Sequence, residues 1–241
     1  MNQKALEKYE ITAIGIIRSC FTEKFGIPRQ AGLVETSRAW ITIFEPFNRP
    51  EFVKELDQFS HIWVQFLFHD TVLEGWKSTV RPPGLGGQKR VGVFASRSPH
   101  RPNHLGFSAV RLLDIRSNRE ETVLQVGGGD FLDGTPVIDI KPYIPYCDSI
   151  IDAAGGYSGR MDVQPEVSFT KNAEAFCVEY ERESGRNLRS LIIEVLANDP
   201  RPASQRYKRK KFGVRLWDVN LRWSVNGDKF TVTECRLIQE P

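Results

Sequence analysis

The chain has 241 residues, with 33 Lys+Arg against 30 Asp+Glu and a formal charge of +3. With 40% hydrophobic and 26% charged residues the composition is that of a globular protein, which excludes a disordered or fibrous chain. Its apolar stretches, such as 62–68, fall short of the roughly 18 residues a membrane span needs, and Glu7 and Glu10 interrupt any signal-peptide pattern, so a cytosolic location is expected.

Segments 11–18, 39–44, 60–68, 90–95, 107–115, 122–127 and 135–141 read as strands, each short, rich in β-branched and aromatic residues, and bounded by Gly, Pro, Asn or Asp. One helix is predicted among them, over 48–59. Asn48 would cap it, Pro50 fits its first turn, and Phe52, Val53, Leu56 and Phe59 share a face. Strands with so little helix between them exclude a sheet of βαβ units. The fold class is mainly β: an antiparallel β-barrel or tightly curled sheet over residues 1–155.

The pattern changes after a linker at 155–165. Segments 170–183 and 186–197 read as helices, and Val219–Val225 and Phe230–Ile238 as a hairpin turned at Asn226-Gly227. Residues 165–241 therefore form a small α+β domain. Cys20, Cys147, Cys177 and Cys235 make no C-x-x-C pair and read as reduced packing thiols. His61, His69, His100 and His104 show no ligand spacing, and no metal is expected.

Two loops carry dense polar residues. In 96–108 (SRSPHRPNHLGFS) two prolines stiffen the backbone while Arg97 and Arg101 project from it, which suits an anion- or substrate-binding loop or a solvated loop tied by its own hydrogen bonds. In 127–136 (GGGDFLDGTP) the G-x-G-x-x-G pattern is missing and no helix follows, so Asp133-Gly134 reads as a turn with Asp130 and Asp139 nearby. The glycine-rich 81–90 reads as a surface loop. Residues 205–215 hold Arg206, Lys208, Arg209, Lys210, Lys211 and Arg215 with Tyr207 and Phe212 interleaved and no acid, a composition suited to RNA or to a solvated basic face.

Together, Gly26-Ile27-Pro28-Arg29-Gln30, Ser60-His61-Ile62-Trp63 running to Phe68-His69, the R-S-P-x-R-P-N-x-x-G-x-S run at 97–108 and L-D-G-T-P-V-x-D-I-K-P-Y at 132–143 resemble the TsaA-like (TrmO) family. The second part resembles that family's C-terminal tRNA-binding domain through Asp199-Pro200-Arg201-Pro202-Ala203. The resemblance implies a six- or seven-stranded β-barrel methyltransferase, dimeric, using S-adenosylmethionine to methylate N6 of threonylcarbamoyladenosine beside the tRNA anticodon. It implies cofactor contacts from Pro28, Arg29, Gln30, His69, Asp70, Arg97, Phe107, Leu132, Asp133, Gly134 and Thr135.

On that footing Asp139 and Tyr143 are candidate acceptors of the N6 proton, and Arg101 and Asn103 would organise the modified base. An arginine fork is matched to its threonyl carboxylate, and Lys141 is a second candidate for that anion. Arg201, Arg206, Lys208, Arg209, Lys210 and Lys211 would hold tRNA phosphates. The competing expectations are a non-catalytic RNA-binding or regulatory module on the same barrel, and a methyltransferase with another substrate.

Overall fold

The computed structural model describes residues 7–159, 164–202, 205 and 208–238. In chain order the first part forms β1 (Gly15–Ser19), β2 (Arg38–Ile43), β3 (His61–Leu67), the two-residue β4 (Thr79–Val80) and β5 (Val91–Gly92), β6 (Leu105–Ser117), β7 (Thr122–Gly127) and β8 (Thr135–Pro142). Six of these close a barrel in the order β1-β2-β7-β6-β3-β8, with every neighbouring pair antiparallel. Alternation drives the closure. Ile62, Val64 and Phe66 point inward from β3, as do Ile17, Ile41, Leu124, Val126 and Val137 from the strands around it, and together they form one buried core.

Two expectations for this part change. Residues 48–59 form two 3₁₀ turns, Pro50–Val53 and Leu56–Gln58, with Glu55 between them at φ 65°. The Asn48 amide donates to the distant Glu120 carbonyl (3.0 Å), no side chain caps the first turn, and the left-handed Glu55 interrupts the helical run. The predicted strand 90–95 pairs only at Val91–Gly92 and then turns through a 3₁₀ segment that leaves Phe94 exposed.

After the short helix α1 (Pro145–Asp148), the second part comprises β9 (Glu166–Phe169), α2 (Lys171–Ser184), α3 (Leu188–Ala197), β10 (Lys211–Leu216), β11 (Val219–Asn226) and β12 (Lys229–Leu237). The sheet order is β10-β11-β12-β9, with β9 parallel to β12. The Thr170 hydroxyl and the Asn187 side chain cap α2 and α3, accepting from the Ala173 and Ser190 N–H groups. Leu188, Leu191, Ile192, Val195 and Leu196 pack against the inner face of the sheet. None of the described helices is long and apolar enough to cross a membrane.

The connection between β1 and β2, residues 20–37, belongs to both cores. Cys20, Phe21 and Val34 are buried in the second core although they follow a barrel strand. The Trp217 N–H donates to the Cys20 carbonyl (2.8 Å), the Thr36 N–H to Glu194 Oε2 (2.9 Å) and the Asn198 amide to the Leu33 carbonyl (2.8 Å).

Gly106 marks the tightest packing of the barrel wall. A Cβ there would lie 2.3 Å from the Phe66 ring, which is itself buried edge-on against Phe68 and Phe131. Gly106→Ala is therefore expected to destabilise the protein by about 1 to 3 kcal/mol. Urea unfolding checks this, and an unchanged midpoint would show that the ring yields.

Candidate active site

Antiparallel closure gathers alternate connections at the same end of the barrel. The segments 20–37, 68–104 and 128–134 share one end, while 44–60, 118–121 and the chain after β8 share the other. Almost every expected cofactor residue lies at the first end, because the motifs sit in its three loops.

The 132–135 turn is fixed from two sides. The Asp133 N–H donates to the Phe21 carbonyl and the Gly134 N–H to that of Ile17, both at 2.8 Å. Asp133 Oδ1 accepts from the Ser19 N–H (2.9 Å), and Oδ2 meets Arg18 at 3.3 Å. Gly134 has φ 78°, which the expected Asp-Gly turn requires. The Thr135 hydroxyl donates to the Leu132 carbonyl (2.7 Å) and lies 3.5 Å from His69 Nδ1. Leu132 to Thr135 and His69 are thus brought together.

Arg97 donates to the Gln30 side-chain oxygen, and the Gln30 amide to the Arg29 carbonyl. The 28–30 segment, expected to contact cofactor, therefore meets the 96–108 loop through one guanidinium. Arg101 is used differently. Its guanidinium donates to the Ser96 carbonyl (2.7 Å) and lies 6.0 Å from the Phe94 ring, which holds the loop in shape. Buried His104, at φ 51°, donates from Nδ1 to the Pro99 carbonyl (3.0 Å). Asn103 is exposed beside it.

Asp70 forms an ion pair with Lys24 (2.8 Å), and Lys24 also reaches Glu74 at 3.1 Å. His100 Nε2 meets Glu74 at 2.9 Å. These hydrogen bonds, first from His100 and then from Lys24, hold the Glu74 carboxyl down at about 2.

Sequence reasoning did not single out Asp130 as a site residue. It accepts a 2.7 Å bond from the Ser108 hydroxyl behind the Arg97 loop. Desolvation pushes its carboxyl above the ordinary 3.8, and the Ser108 bond and the Arg97 charge only partly offset this. An acid two residues before a cofactor turn was the signal available.

The remaining candidates occupy the outer wall. Gln65 pairs with Phe107 on one side and Asp139 on the other, and Trp63 pairs with Lys141. Trp63 stacks on Phe107 at 4.4 Å and tilts against Tyr143 at 5.5 Å. Phe107 is 50% exposed. Asp139 Oδ1 accepts from the neighbouring Ile140 N–H (2.9 Å), a local bond. Tyr143 lies past the far end of β8, roughly 26 Å of strand from Thr135. One chain does not bring Tyr143 to the loops at the first end.

Among the basic residues, Lys208, Arg209, Lys210 and Lys211 are exposed, and Arg206 lies outside the described residues. Arg201 is corrected: it is 7% exposed, paired with buried Asp199 at 2.7 Å and placed 4.6 Å over the Phe230 ring. Its guanidinium is buried between Asp199 and the Phe230 ring, not exposed to a phosphate.

Two family models match the chain: the tRNA-methyltransferase O N-terminal domain over residues 16–149 and the TrmO C-terminal domain over 162–238. The tRNA (adenine(37)-N6)-methyltransferase of Escherichia coli (strain K12) is 41% identical over 230 residues, covering 94% of this chain and 97% of its own. A Pseudomonas aeruginosa relative named for S-adenosylmethionine-dependent methyl transfer, RcsF, is 42% identical over 89% of this chain and 92% of its own. The crystal structure of TrmO from Pseudomonas aeruginosa superposes with a TM-score of 0.81 at 36% identity, over 96% of this chain and 98% of that one.

The raised Asp130 carboxyl fixes a pH dependence. A folded-state value above the unfolded one contributes stability below about pH 4 that is lost as pH rises through the folded value. Asp130→Asn keeps an oxygen for the Ser108 hydroxyl and removes that loss. Its stability relative to the parent protein is expected to increase from pH 4 to pH 7. Urea midpoints at both pH values check it, and a relative loss at pH 7 would reverse the assignment.

Proposed function

The chain belongs to the tRNA-methyltransferase O family, and from that membership we propose that it methylates N6 of threonylcarbamoyladenosine beside the tRNA anticodon, with S-adenosylmethionine as donor. The observation that carries this reading is the match to the Escherichia coli enzyme through barrel and second sheet alike. In this reading the barrel binds cofactor and holds the chemistry, the second unit binds tRNA, and the enzyme works in the cytosol.

The donor set at the polar end of the barrel suits the cofactor. Arg97 and Gln30 match a carboxylate, and the carbonyls and carboxylate of the 132–134 turn match an ammonium and ribose hydroxyls, with His69 and Thr135 adjoining. S-adenosylmethionine bound there supplies an electrophilic methyl carbon whose thioether leaving group needs no proton. The protein's task is then to place the acceptor nitrogen in line and to hold its proton. N6 is a poor nucleophile, since its lone pair is shared with the purine and the carbamoyl group. Asp139 and Tyr143 are the side chains assigned to that proton, and Lys141, exposed on the same wall, to the threonyl carboxylate.

The distance between Tyr143 and the cofactor loops supports a homodimer in which the outer wall of one subunit completes the site of the other. Half-exposed Phe107 on that wall supports it too.

Incubating the protein with S-adenosylmethionine and threonylcarbamoyl-modified tRNA should add one methyl mass to that nucleoside, read by mass spectrometry. Methylation of another nucleoside, or none, would refute the proposal. Asp139→Asn and Tyr143→Phe are expected to lower single-turnover rates by about 100-fold where they remove the proton acceptor; full rates in both would end that assignment. Arg97→Ala and Tyr143→Phe chains, each slow alone, should recover turnover as mixed dimers. No recovery would place both residues in one subunit's site.

A further inference from the structure

The reaction leaves unused a cavity of about 680 Å³ on the second unit. Its walls are the start of β10 with the facing part of β11, the loop around Pro202 and Arg209, and Phe25 from the β1–β2 connection. Its volume lies in the range of pockets that hold small ligands. The floor is aromatic. Phe25 stacks on Trp223 at 6.1 Å and 11°, and Trp223 on Phe212 at 5.6 Å and 24°.

Trp223 and Phe212 are buried and Phe25 is only partly so, which makes Phe25 the ring a ligand reaches. The Trp223 Nε1–H is buried without a hydrogen-bond partner. Gly26 holds this arrangement: at φ 98° any Cβ would lie 2.5 Å from Val214 Cγ2, so the backbone packs directly on β10. Arg209, Lys211 and Arg222 line the cavity with Glu23 and Glu234. Glu234 pairs with Arg222 (3.6 Å) and Glu23 accepts from the Arg215 N–H (3.0 Å), which leaves Arg209 and Lys211 facing one carboxylate and the lining with a net positive charge.

We propose that this cavity receives one unpaired nucleotide of the tRNA, its base stacked on Phe25 and its phosphate held by Lys211 and Arg209. The proposal rests on the tRNA reading above. An aromatic platform beside a cationic edge is the chemistry that binds single-stranded nucleic acid without base readout. It also places tRNA contact on the segment that carries Pro28, Arg29 and Gln30, a few residues from the cofactor loops.

The test is ultraviolet cross-linking of the full-length protein to an anticodon stem-loop RNA, with the adduct located by mass spectrometry. An adduct on Phe25 is expected; adducts found only outside the cavity lining would overturn the proposal. In titrations, Phe25→Leu should weaken stem-loop binding by about tenfold or more. Lys211→Gln, at an exposed strand position, should lower the salt slope by about one and leave S-adenosylmethionine binding unchanged. Should Phe25→Leu fail to fold, the cross-link and Lys211→Gln still decide. Parental RNA affinity and salt slope in the variants, with tRNA still methylated, would remove the cavity alone. A parent protein that binds no RNA and methylates no tRNA would remove the functional reading as well.

Discussion

The burial of Phe21 in the second core, one step from a barrel strand, is the constraint on which the rest of the structure depends. This ring is 1% exposed and packs in the second core, yet its carbonyl accepts from Asp133 in the turn that enters β8. Its backbone bridges both Leu132 and Leu216. Burying such a ring contributes about 2 to 3 kcal/mol, and here the same residue also fixes the register of two loops. Neither the 132–135 turn nor the 26–30 segment floats, because each is tied to a chain that both units bury.

Charge works locally at this end of the barrel, and its sign says little about its role. Arg97 reaches another motif, whereas Arg101 serves the carbonyls of its own loop and Arg201 is spent on Asp199 under the second sheet. The Lys24–Asp70, Lys24–Glu74 and His100–Glu74 pairs are partly exposed. Such pairs add little to stability in water, but they tie three segments to one another. The loops at this end are therefore linked by hydrogen bonds and ion pairs above an apolar barrel core. Mutations there should alter geometry more than folding.

Much of the fold was legible in the sequence, and the reasons differ between elements. Runs of β-branched and aromatic residues bounded by Gly, Pro, Asn or Asp revealed the barrel strands, Asp133-Gly134 and Asn226-Gly227 revealed turns in the two units, and apolar spacing revealed the helices. The 48–59 segment misled because no side chain caps its first turn and Glu55 takes a left-handed conformation, which no local pattern reports. The role of 20–37 was hidden for a related reason. Cys20 and Phe21 follow a barrel strand directly, and only the folded second sheet shows that their side chains belong elsewhere. At the site, motif residues in loops were legible and their grouping was not. Arg201 and Lys211 look alike as letters, but one lies above an aromatic core and the other on an exposed strand.

Antiparallel closure also explains why one motif spans two places. Residues 132–143 read as a continuous block, but β8 carries them from the end of the barrel that holds the 20–37, 68–104 and 128–134 loops to the opposite end. Leu132 to Thr135 contact the loops of the first end, Asp139 stands midway beside Gln65, and Tyr143 joins Trp63 and His61 beyond the last pair. A strand is too stiff to fold these groups together, and the barrel interior is filled with side chains. Groups separated along the outside of a closed barrel converge only on something lying against that wall. The Trp63–Phe107 stack supplies a flat aromatic surface where it would rest.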